Sequence, residues 1–349
     1  MFSVTNNRGF VPQSEQFEDR EMIGEDIKAY KIIHEGDFAY NPARINVGSI
    51  AKYDKTEPCM ISSLYVCFKT LPQIDKDWMM QLLKTPKMNF YYNVNGEGGV
   101  RVYLFYPNFA RIRTSYPSLA EQHKIANLLS LLDQRIETQK KIIEDLKKLK
   151  DAISNQNFTT GSALKLGNVG KFIRGLTYSA SDVIDDTMGT AVMRSNNISN
   201  GDPVNFEELV WVNKIPNHEQ ILRGGDIVIC MANGSSPLVG KASYYVDCGM
   251  ESATVGAFCG IYRSDNPLTK WLFQSKHYKK HIQRCIQGGN GAIANIYPED
   301  ILAISFNIPS GYERVLNILN SLEDKYLLEQ KLLCRYLAVK SHLLAQMFI

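Results

Sequence analysis

The sequence predicts an α+β protein: two mixed α/β domains, separated by two long helices that pack as an antiparallel coiled coil, in a pseudo-twofold internal repeat. Three observations predict this fold class. The amphipathic run that follows Pro117 recurs after Pro309, with matching apolar positions 190 residues apart. Strand-like segments precede each run, and short glycine and asparagine motifs recur within those segments. A repeat of this length fixes the architecture before any residue is assigned a role.

The predicted parts follow in the order domain 1 (1–116), helix segment 1 (117–157), domain 2 (158–308) and helix segment 2 (309–349). Runs rich in β-branched and aromatic residues, bounded by Gly, Asn and Pro, predict strands in both domains. The predicted strands are 60–68 and 99–106 in domain 1, and 226–231 and 253–262 in domain 2. The predicted helices are 119–155 and 312–347.

The repeat extends into the domains, since Thr5-Asn6-Asn7 matches Ser195-Asn196-Asn197. Residues 164–191 of domain 2 have no counterpart before Met1. We therefore expect domain 1 to be shortened at its N-terminus.

A long amphipathic helix needs a partner to cover its apolar stripe, and each helix here has its own duplicate. The polar interruptions also coincide: Gln139 matches Glu329, and Lys150 matches Lys340. An antiparallel pairing brings Gln139 and Glu329 together near the helix midpoints, where a buried polar pair fixes the register. The alternative is that both face solvent. Leu128, Leu131 and Ile142 lie off the main stripe and predict either packing on a domain or a docking surface for another subunit.

Composition excludes several classes of protein. The net charge of +3 is too small for a protein that coats nucleic acid without sequence preference. The seven cysteines form no CxxC unit, which argues against zinc ribbons and disulfide scaffolds. Without a signal peptide or an apolar span, the sequence predicts a cytoplasmic protein with no membrane contact.

No motif predicts catalysis, a metal site or a cofactor bound by this chain. Asn41-Pro-Ala-Arg resembles the Asn-Pro-Pro-aromatic motif of amino-methyltransferases but lacks the aromatic residue that stacks on a flipped base. There is no phosphate-binding glycine loop. His277 and His281 have metal-ligand spacing, but two lysines and no carboxylate accompany them, so a solvated basic helix face is the preferred interpretation. The chain is predicted to bind rather than to catalyse.

Arg, Asn, Gln, Ser and Thr carry the donor and acceptor pairs that read base edges, and they collect in corresponding loops of both domains. Turn chemistry alone also enriches such loops. The candidate DNA-binding residues of domain 1 are Asn6, Asn7, Asn41, Arg44, Asn46, Arg101, Arg111 and Arg113. Those of domain 2 are Arg174, Thr177, Arg194, Asn196, Asn197, Asn233, Ser235, Ser236, Lys241, Asn290 and Asn295. Lys276, Lys279, Lys280 and Arg284 suit phosphate contacts.

The sequence resembles the specificity subunits of type I restriction-modification systems. The resemblance rests on the run from Pro117 to Ile136, on Glu35-Gly-Asp-Phe-Ala-Tyr-Asn-Pro-Ala-Arg and on Leu222-Arg-Gly-Gly-Asp-Ile-Val-Ile. It implies two target-recognition domains that read the halves of a bipartite double-stranded DNA site, and helices that set the gap. It also implies two modification subunits carrying S-adenosylmethionine, and restriction subunits carrying ATP and Mg. The chain itself is then not an enzyme.

Two departures from the family pattern are the shortened domain 1 and the start of the second helix, where Ser310-Gly-Tyr-Glu-Arg replaces the longer opening of the first. The alternatives to a specificity subunit are a solitary adenine methyltransferase and a non-functional, truncated scaffold.

Overall fold

The computed structural model describes residues 1–16, 29–98, 102–250, 252–288 and 293–348. The chain divides into two compact units. Unit 1 comprises Met1–Lys141 and Gln330–Ile349, and unit 2 comprises Ile142–Glu329. Each unit thus combines one mixed α/β region with a part of each long helix.

Unit 1 contains two small sheets in its described residues. Its strands are β1 (Phe2–Thr5), β2 (Gly9–Pro12), β3 (Lys31–Ile33), β4 (Phe38–Tyr40), β5 (Ile50–Lys52), β6 (Cys59–Ile61) and β7 (Val66–Phe68). The sheet orders are β2-β1-β6-β3 and β5-β4-β7, and only the β1–β6 pair is parallel. Its short helices are α1 (Gln13–Gln16), α2 (Lys76–Leu83), α3 (Pro86–Asn95) and α4 (Tyr106–Phe109). The first long helix, α5 (Leu119–Asn157), begins in unit 1.

Unit 2 repeats this plan with additional strands. They are β8 (Ser162–Lys165), β9 (Lys171–Arg174), β10 (Val183–Ile184), β11 (Thr190–Met193), β12 (Val210–Val212), β13 (Ile227–Cys230), β14 (Ala232–Asn233), β15 (Ala242–Tyr244), β16 (Ala253–Val255), β17 (Cys259–Arg263), β18 (Ala294–Asn295) and β19 (Ser305–Ile308). The larger sheets have the orders β10-β12-β11-β16 and β15-β13-β17-β9. The helices are α6 (Leu166–Val169), α7 (Thr269–Gln274), α8 (Lys276–Cys285) and α9 (Pro298–Leu302), and α10 (Tyr312–Met347) begins in this unit.

The same local chemistry starts equivalent helices in both units. Thr85 caps α3 by accepting a hydrogen bond from the N–H of Met88 at 3.2 Å, and Ser275 caps α8 by accepting one from the N–H of Tyr278 at 3.2 Å. Such caps satisfy a backbone donor that a helix N-terminus otherwise leaves unpaired. Since Thr85 and Ser275 stand 190 positions apart, the repeat is preserved in the mixed regions as well as in the long helices.

Within each unit, α5 and α10 pack antiparallel. In unit 1, Asp133 pairs with Lys340, and Arg135 Nε donates to Tyr336 Oη at 3.0 Å. Residue numbers therefore decrease along α10 as they increase along α5. In unit 2, Lys150 forms an ion pair with Glu323. The predicted fold class is confirmed. Gln139 and Glu329 are buried, which excludes the solvent-facing alternative, and their proposed pairing stays a prediction.

The helix predictions were close, because α5 extends only two residues beyond the predicted end and α10 has its predicted bounds. The predicted strands 60–68 and 253–262 were wrong as single strands, since a tight turn divides each into two. The predicted strand 99–106 was wrong over its described part: only an isolated bridge between Glu97 and Tyr103 forms there. No helix in the described part of the chain combines the length and apolar character that crossing a bilayer requires.

Candidate functional site

Three loops of unit 1 surround a cavity of about 470 Å³. We name them by chain order: the first loop (5–8) follows β1, the second loop (41–49) joins β4 to β5, and the third loop (62–65) joins β6 to β7. The lining residues from these loops are Thr5, Asn6, Asn41, Arg44, Val47, Ser49, Ser62, Leu64 and Tyr65. The cavity therefore lies where the ends of both sheets of unit 1 meet.

The corresponding three loops of unit 2 surround a cavity of about 430 Å³. Here the first loop (194–197) follows β11, the second loop (231–241) joins β13 to β15 and includes the short strand β14, and the third loop (256–259) joins β16 to β17. The lining residues are Arg194, Ser195, Ala232, Asn233, Gly234, Gly256, Ala257, Phe258 and Cys259, together with Tyr178 and Ile293. Two diverged copies of one fold thus carry a cavity in the same place.

One backbone contact in each unit aligns the starts of the two second loops. The N–H of Leu104 donates to Pro42 O at 3.0 Å, and the N–H of Ile296 donates to Met231 O at 3.0 Å. Two residues beyond these carbonyls stand Arg44 in unit 1 and Asn233 in unit 2, and both line their cavities. The same backbone position therefore carries a guanidinium in one unit and an amide in the other.

Asn233 is held by its neighbours, whereas Arg44 is exposed. Asn233 Nδ2 donates to Ser195 Oγ at 3.1 Å, which joins the second loop to the first, and its Oδ1 accepts from the N–H of Ser235 at 2.9 Å. In unit 1, Asn41 Oδ1 accepts from the N–H of Ala43 at 3.0 Å. These i to i+2 bonds are the turns that Asn side chains form with their own backbone, and they fix the loop shape.

The third loops are the same turn in both units. The N–H of Tyr65 donates to Ser62 O at 3.2 Å, and the N–H of Cys259 donates to Gly256 O at 2.8 Å. The third residue of each turn is a large apolar side chain, Leu64 at 79% exposure and Phe258 at 64%. Prediction from polar residue type missed both residues. The signal in the sequence was the pair of small residues, Ser62-Ser63 or Gly256-Ala257, that precedes each of them inside a strand-like run.

The cavities suit an anion better than a metal or an acid-base reaction. Among the described lining residues, each cavity has one arginine, Arg44 or Arg194, and no carboxylate. The described residues include no group of three His, Cys, Asp or Glu side chains placed to bind a metal ion. Cys259 is buried, and the neighbouring Cys230 together with burial raises the pKa of its thiol well above the usual value, so that it stays neutral.

Five of the predicted DNA-binding residues line the cavities: Asn6, Asn41 and Arg44 in unit 1, and Arg194 and Asn233 in unit 2. Several others are exposed without lining a cavity, namely Asn7, Arg111, Arg113, Arg174, Thr177, Asn196, Ser235 and Ser236. Asn46, Lys241 and Asn295 are half-buried. Arg101 and Asn290 lie outside the described residues.

Asn197 is the predicted residue that the structure places in the interior, with no exposed surface. Its Oδ1 accepts from the N–H of Arg194 at 2.8 Å, and its Nδ2 donates to the carbonyls of Asn205 at 3.0 Å and Glu207 at 2.7 Å. Because every polar atom of the amide is engaged inside unit 2, Asn197 shapes the first loop and cannot present its side chain to a base edge.

The predicted docking residues have unequal exposure. Leu128 and Leu131 on α5 are 44% and 63% exposed, whereas Ile142 is half-buried. Ile318 of α10, which stands 190 positions after Leu128, is 43% exposed. An exposed apolar position therefore recurs on both long helices.

The two histidines of α8 have packing roles. The His277 ring lies 5.0 Å from the Phe306 ring, and His281 Nε2 is 3.1 Å from the Asp300 carbonyl oxygen. Lys279, Lys280 and Arg284 belong to the same helix. In the equivalent helix of unit 1, α3, the one basic residue is Lys87.

Curated relatives of the chain are specificity subunits of type I restriction enzymes. The chain is 31% identical over 157 residues to the StySPI subunit of Salmonella potsdam, and 31% identical over 156 residues to the EcoKI subunit of Escherichia coli. These matches cover 42% and 41% of this chain, and 32% of each relative. The MjaVIII subunit of Methanocaldococcus jannaschii is 27% identical over 210 residues, which are 52% of this chain and 48% of that protein. The matches thus span a third to a half of the relatives' length, and no protein-family model matches the chain.

Solved structures share the fold. The S subunit of a type I restriction-modification system from M. genitalium aligns with a TM-score of 0.59 and 15% identity, over 90% of this chain and 83% of that chain. A chain from a structure of type I R-M complex assembly and conformational transition aligns with a TM-score of 0.53 and 14% identity, over 91% and 83%. The resemblance to type I specificity subunits is confirmed by these similarities in sequence and in fold.

Proposed function

We propose that the chain is the sequence-specific DNA-recognition subunit of a type I restriction-modification complex, in which unit 1 and unit 2 each read one half of a bipartite site. One observation carries this proposal: the two three-loop cavities occupy equivalent places and share the turn of their third loops, but their side chains differ. Arginine pairs best with guanine, and asparagine with adenine. The Arg44 and Asn233 pair therefore suits two half-sites of different sequence.

The proposal assigns recognition to this chain and chemistry to its partners. Two modification subunits would bind S-adenosylmethionine and methylate adenine, and restriction subunits would use ATP and Mg. The cavities support this division, because their lining residues lack the carboxylates that acid-base catalysis and Mg²⁺ binding use. The remaining exposed DNA-binding candidates are kept in the proposed interface. Asn197 is removed from it because its side chain is buried.

The long helices are proposed to set the gap between half-sites and to dock the modification subunits. Exposed Leu128 and Leu131 support the docking role, since a subunit interface buries apolar side chains that solvent otherwise meets. Lys279, Lys280 and Arg284 are proposed to contact phosphates, which position a protein on DNA without specifying sequence.

The direct test is to co-express the chain with modification subunits and to sequence the DNA for methylated adenine. We expect one two-part motif with a fixed gap. Arg44→Ala should reduce the base specificity of one half of the methylated motif, and Arg194→Ala should reduce that of the other half. A complex that methylates no two-part motif would rule out the proposal.

Lys69→Ala is the matched control in unit 1, because Lys69 is an exposed cation that does not line the cavity. Its motif should equal that of the unchanged protein. If Arg44→Ala and Lys69→Ala both lower methylation at every site without changing the motif, Arg44 supplies charge only and does not read a base.

A further inference from the structure

The third loops of both units present an exposed apolar side chain at one equivalent position. Leu64 and Phe258 are each the third residue of a four-residue turn closed by a backbone hydrogen bond. Each follows a short strand that pairs parallel with another, β6 with β1 and β16 with β11. The equivalence therefore rests on turn geometry and strand pairing together.

Folding does not account for these two side chains. Leu64 and Phe258 are 79% and 64% exposed, and neither belongs to a buried core cluster of its unit. The turn itself places no demand for an apolar residue at its third position. Although single exposed apolar residues are common, these two recur after divergence of the surrounding loop sequences, Ser62-Ser63 against Gly256-Ala257.

The surroundings of each side chain are polar and suited to base edges. Leu64 lines its cavity with Arg44, and Phe258 lines its cavity with Arg194 and Asn233. In the major groove, the 5-methyl group of thymine is the apolar feature of a base edge, and it distinguishes a T·A pair from a C·G pair. An apolar side chain beside hydrogen-bonding readers therefore has a specific counterpart on DNA.

Resting on the proposed function, we propose that Leu64 and Phe258 are specificity-determining residues that contact the 5-methyl group of a thymine, Leu64 in the half-site of unit 1 and Phe258 in that of unit 2. Arg44, Arg194 and Asn233 then bond the polar groups of neighbouring bases. Each half-site must consequently contain at least one A·T pair.

The test uses the full chain in complex with modification subunits, once its methylated motif is known. Each thymine of a duplex carrying the motif is replaced singly by deoxyuridine, which removes the methyl group alone, and the Kd is measured by titration. Loss of one buried methyl group weakens binding about fourfold. We expect such a loss at one thymine in each half-site for the unchanged protein.

Leu64→Ala should abolish the sensitivity to deoxyuridine in one half-site and keep it in the other, and Phe258→Ala should do the reverse. The retained sensitivity shows that each variant is folded. Leu71→Ala and Ile215→Ala are matched controls, because these residues are 63% and 87% exposed and line neither cavity. Both controls should behave as the unchanged protein.

A half-site built only of G·C pairs, or equal binding of all deoxyuridine duplexes, would overturn the inference and leave the proposed function standing. Sensitivity that persists in Leu64→Ala and in Phe258→Ala would overturn it too. Absence of any two-part methylated motif would instead contradict the proposed function.

Discussion

The two units contain the same ion pair at the same repeat position, but in different surroundings. Asp133 and Lys340 join α5 to α10 in unit 1, and Glu323 and Lys150, each 190 positions from its counterpart, join them in unit 2. The side chains of Lys340 and Asp133 are 25% and 39% exposed, whereas those of Lys150 and Glu323 are 4% and 2% exposed.

The buried pair of unit 2 is part of a larger network. Tyr244 Oη donates to Glu323, Lys270 Nζ lies 3.9 Å from Glu323, and Lys150 Nζ lies 4.0 Å from the centre of the Tyr326 ring. Burial lowers the pKa of Lys270, an effect that the Glu323 charge opposes. The repeat thus places equivalent residues in contact in both units, and the side chains that surround each ion pair set its contribution to stability.

The largest expected difference is between Lys150→Met and Lys340→Met. Removing Lys150 leaves the buried Glu323 carboxylate without its closest cation and should cost about 3 to 5 kcal/mol. Removing Lys340 should cost about 1 kcal/mol or less, because water reaches Asp133. Urea unfolding measures both. Lys150→Met/Glu323→Gln should recover part of the loss, since Gln can still accept from Tyr244; equal losses in the two single variants would contradict this account.

The next difference is expected at Gly240 and Gly48, which precede the last residue of the second loops. Both have positive φ, 77° and 94°, which costs an alanine about 1 to 2 kcal/mol. An alanine Cβ at 240 would also lie 2.1 Å from Ile282 Cγ2, whereas at 48 its closest neighbour is Asn6 Cβ at 3.3 Å. Gly240→Ala should therefore cost about 2 to 4 kcal/mol in total, with overpacking included.

The matched control for this steric effect is Gly225→Ala, since Gly225 has a φ of 91° and no atom within 4 Å of the added Cβ. Its cost in urea unfolding should be slightly below that of Gly48→Ala, whose Cβ would meet Asn6 Cβ at 3.3 Å. If Gly240→Ala costs no more than Gly225→Ala, Ile282 moves aside and the predicted overpacking is absent.

A smaller difference is expected between Asn197→Ala and Asn7→Ala, at residues 190 positions apart. Asn197 is buried, and its loss would leave one backbone N–H and two carbonyls without partners, at a cost of about 1 to 3 kcal/mol. Asn7 is exposed, so its replacement should change stability by less than about 0.5 kcal/mol. Thermal unfolding can measure both; a stable Asn197→Ala variant would show that the first loop holds its shape without this amide.

Alkaline pH should titrate Tyr53 in unit 1 and Tyr262 in unit 2 over the same pH range. Burial raises the pKa of Tyr53 in unit 1 and of Tyr262 in unit 2 to about 12 in each case. Because the folded-state pKa exceeds the unfolded value near 10, the contribution to stability is fully present below pH 10 and is lost as pH rises towards 12. Tyr53→Phe and Tyr262→Phe should each reduce the fall in urea-unfolding stability between pH 9 and pH 11. Stability that rises over this range would contradict the sign of both shifts.

The predictions from sequence succeeded where local pattern decides structure. The apolar spacing located α10 at its observed bounds, and the repeat indicated that Lys150 and Lys340 had matching roles. The acidic partners Asp133 and Glu323 were missed, although they too stand 190 positions apart. Both would have been found by matching the lysine that interrupts the apolar stripe of each helix with an acidic residue of the other helix.

The candidate site was predictable only in part. Polar residue type identified Arg44 and Arg194, which line the cavities, and equally identified Asn197, which is buried. Residue type could not separate these cases, because an asparagine in a turn bonds either a ligand or its own backbone. The third loops were overlooked because each was read as the interior of a single strand.

The duplicated plan follows from the amino-acid sequence, because apolar spacing and a constant offset give the two long helices, their common phase and the pairing of equivalent parts. Tertiary structure alone decided which copies of a residue are buried, which loops meet around a cavity and which amides remain available. The physical reason is that helix periodicity is set by neighbours three and four positions away, whereas loop convergence and burial depend on residues far along the chain, such as Ser195 beside Asn233 and Glu323 beside Lys150.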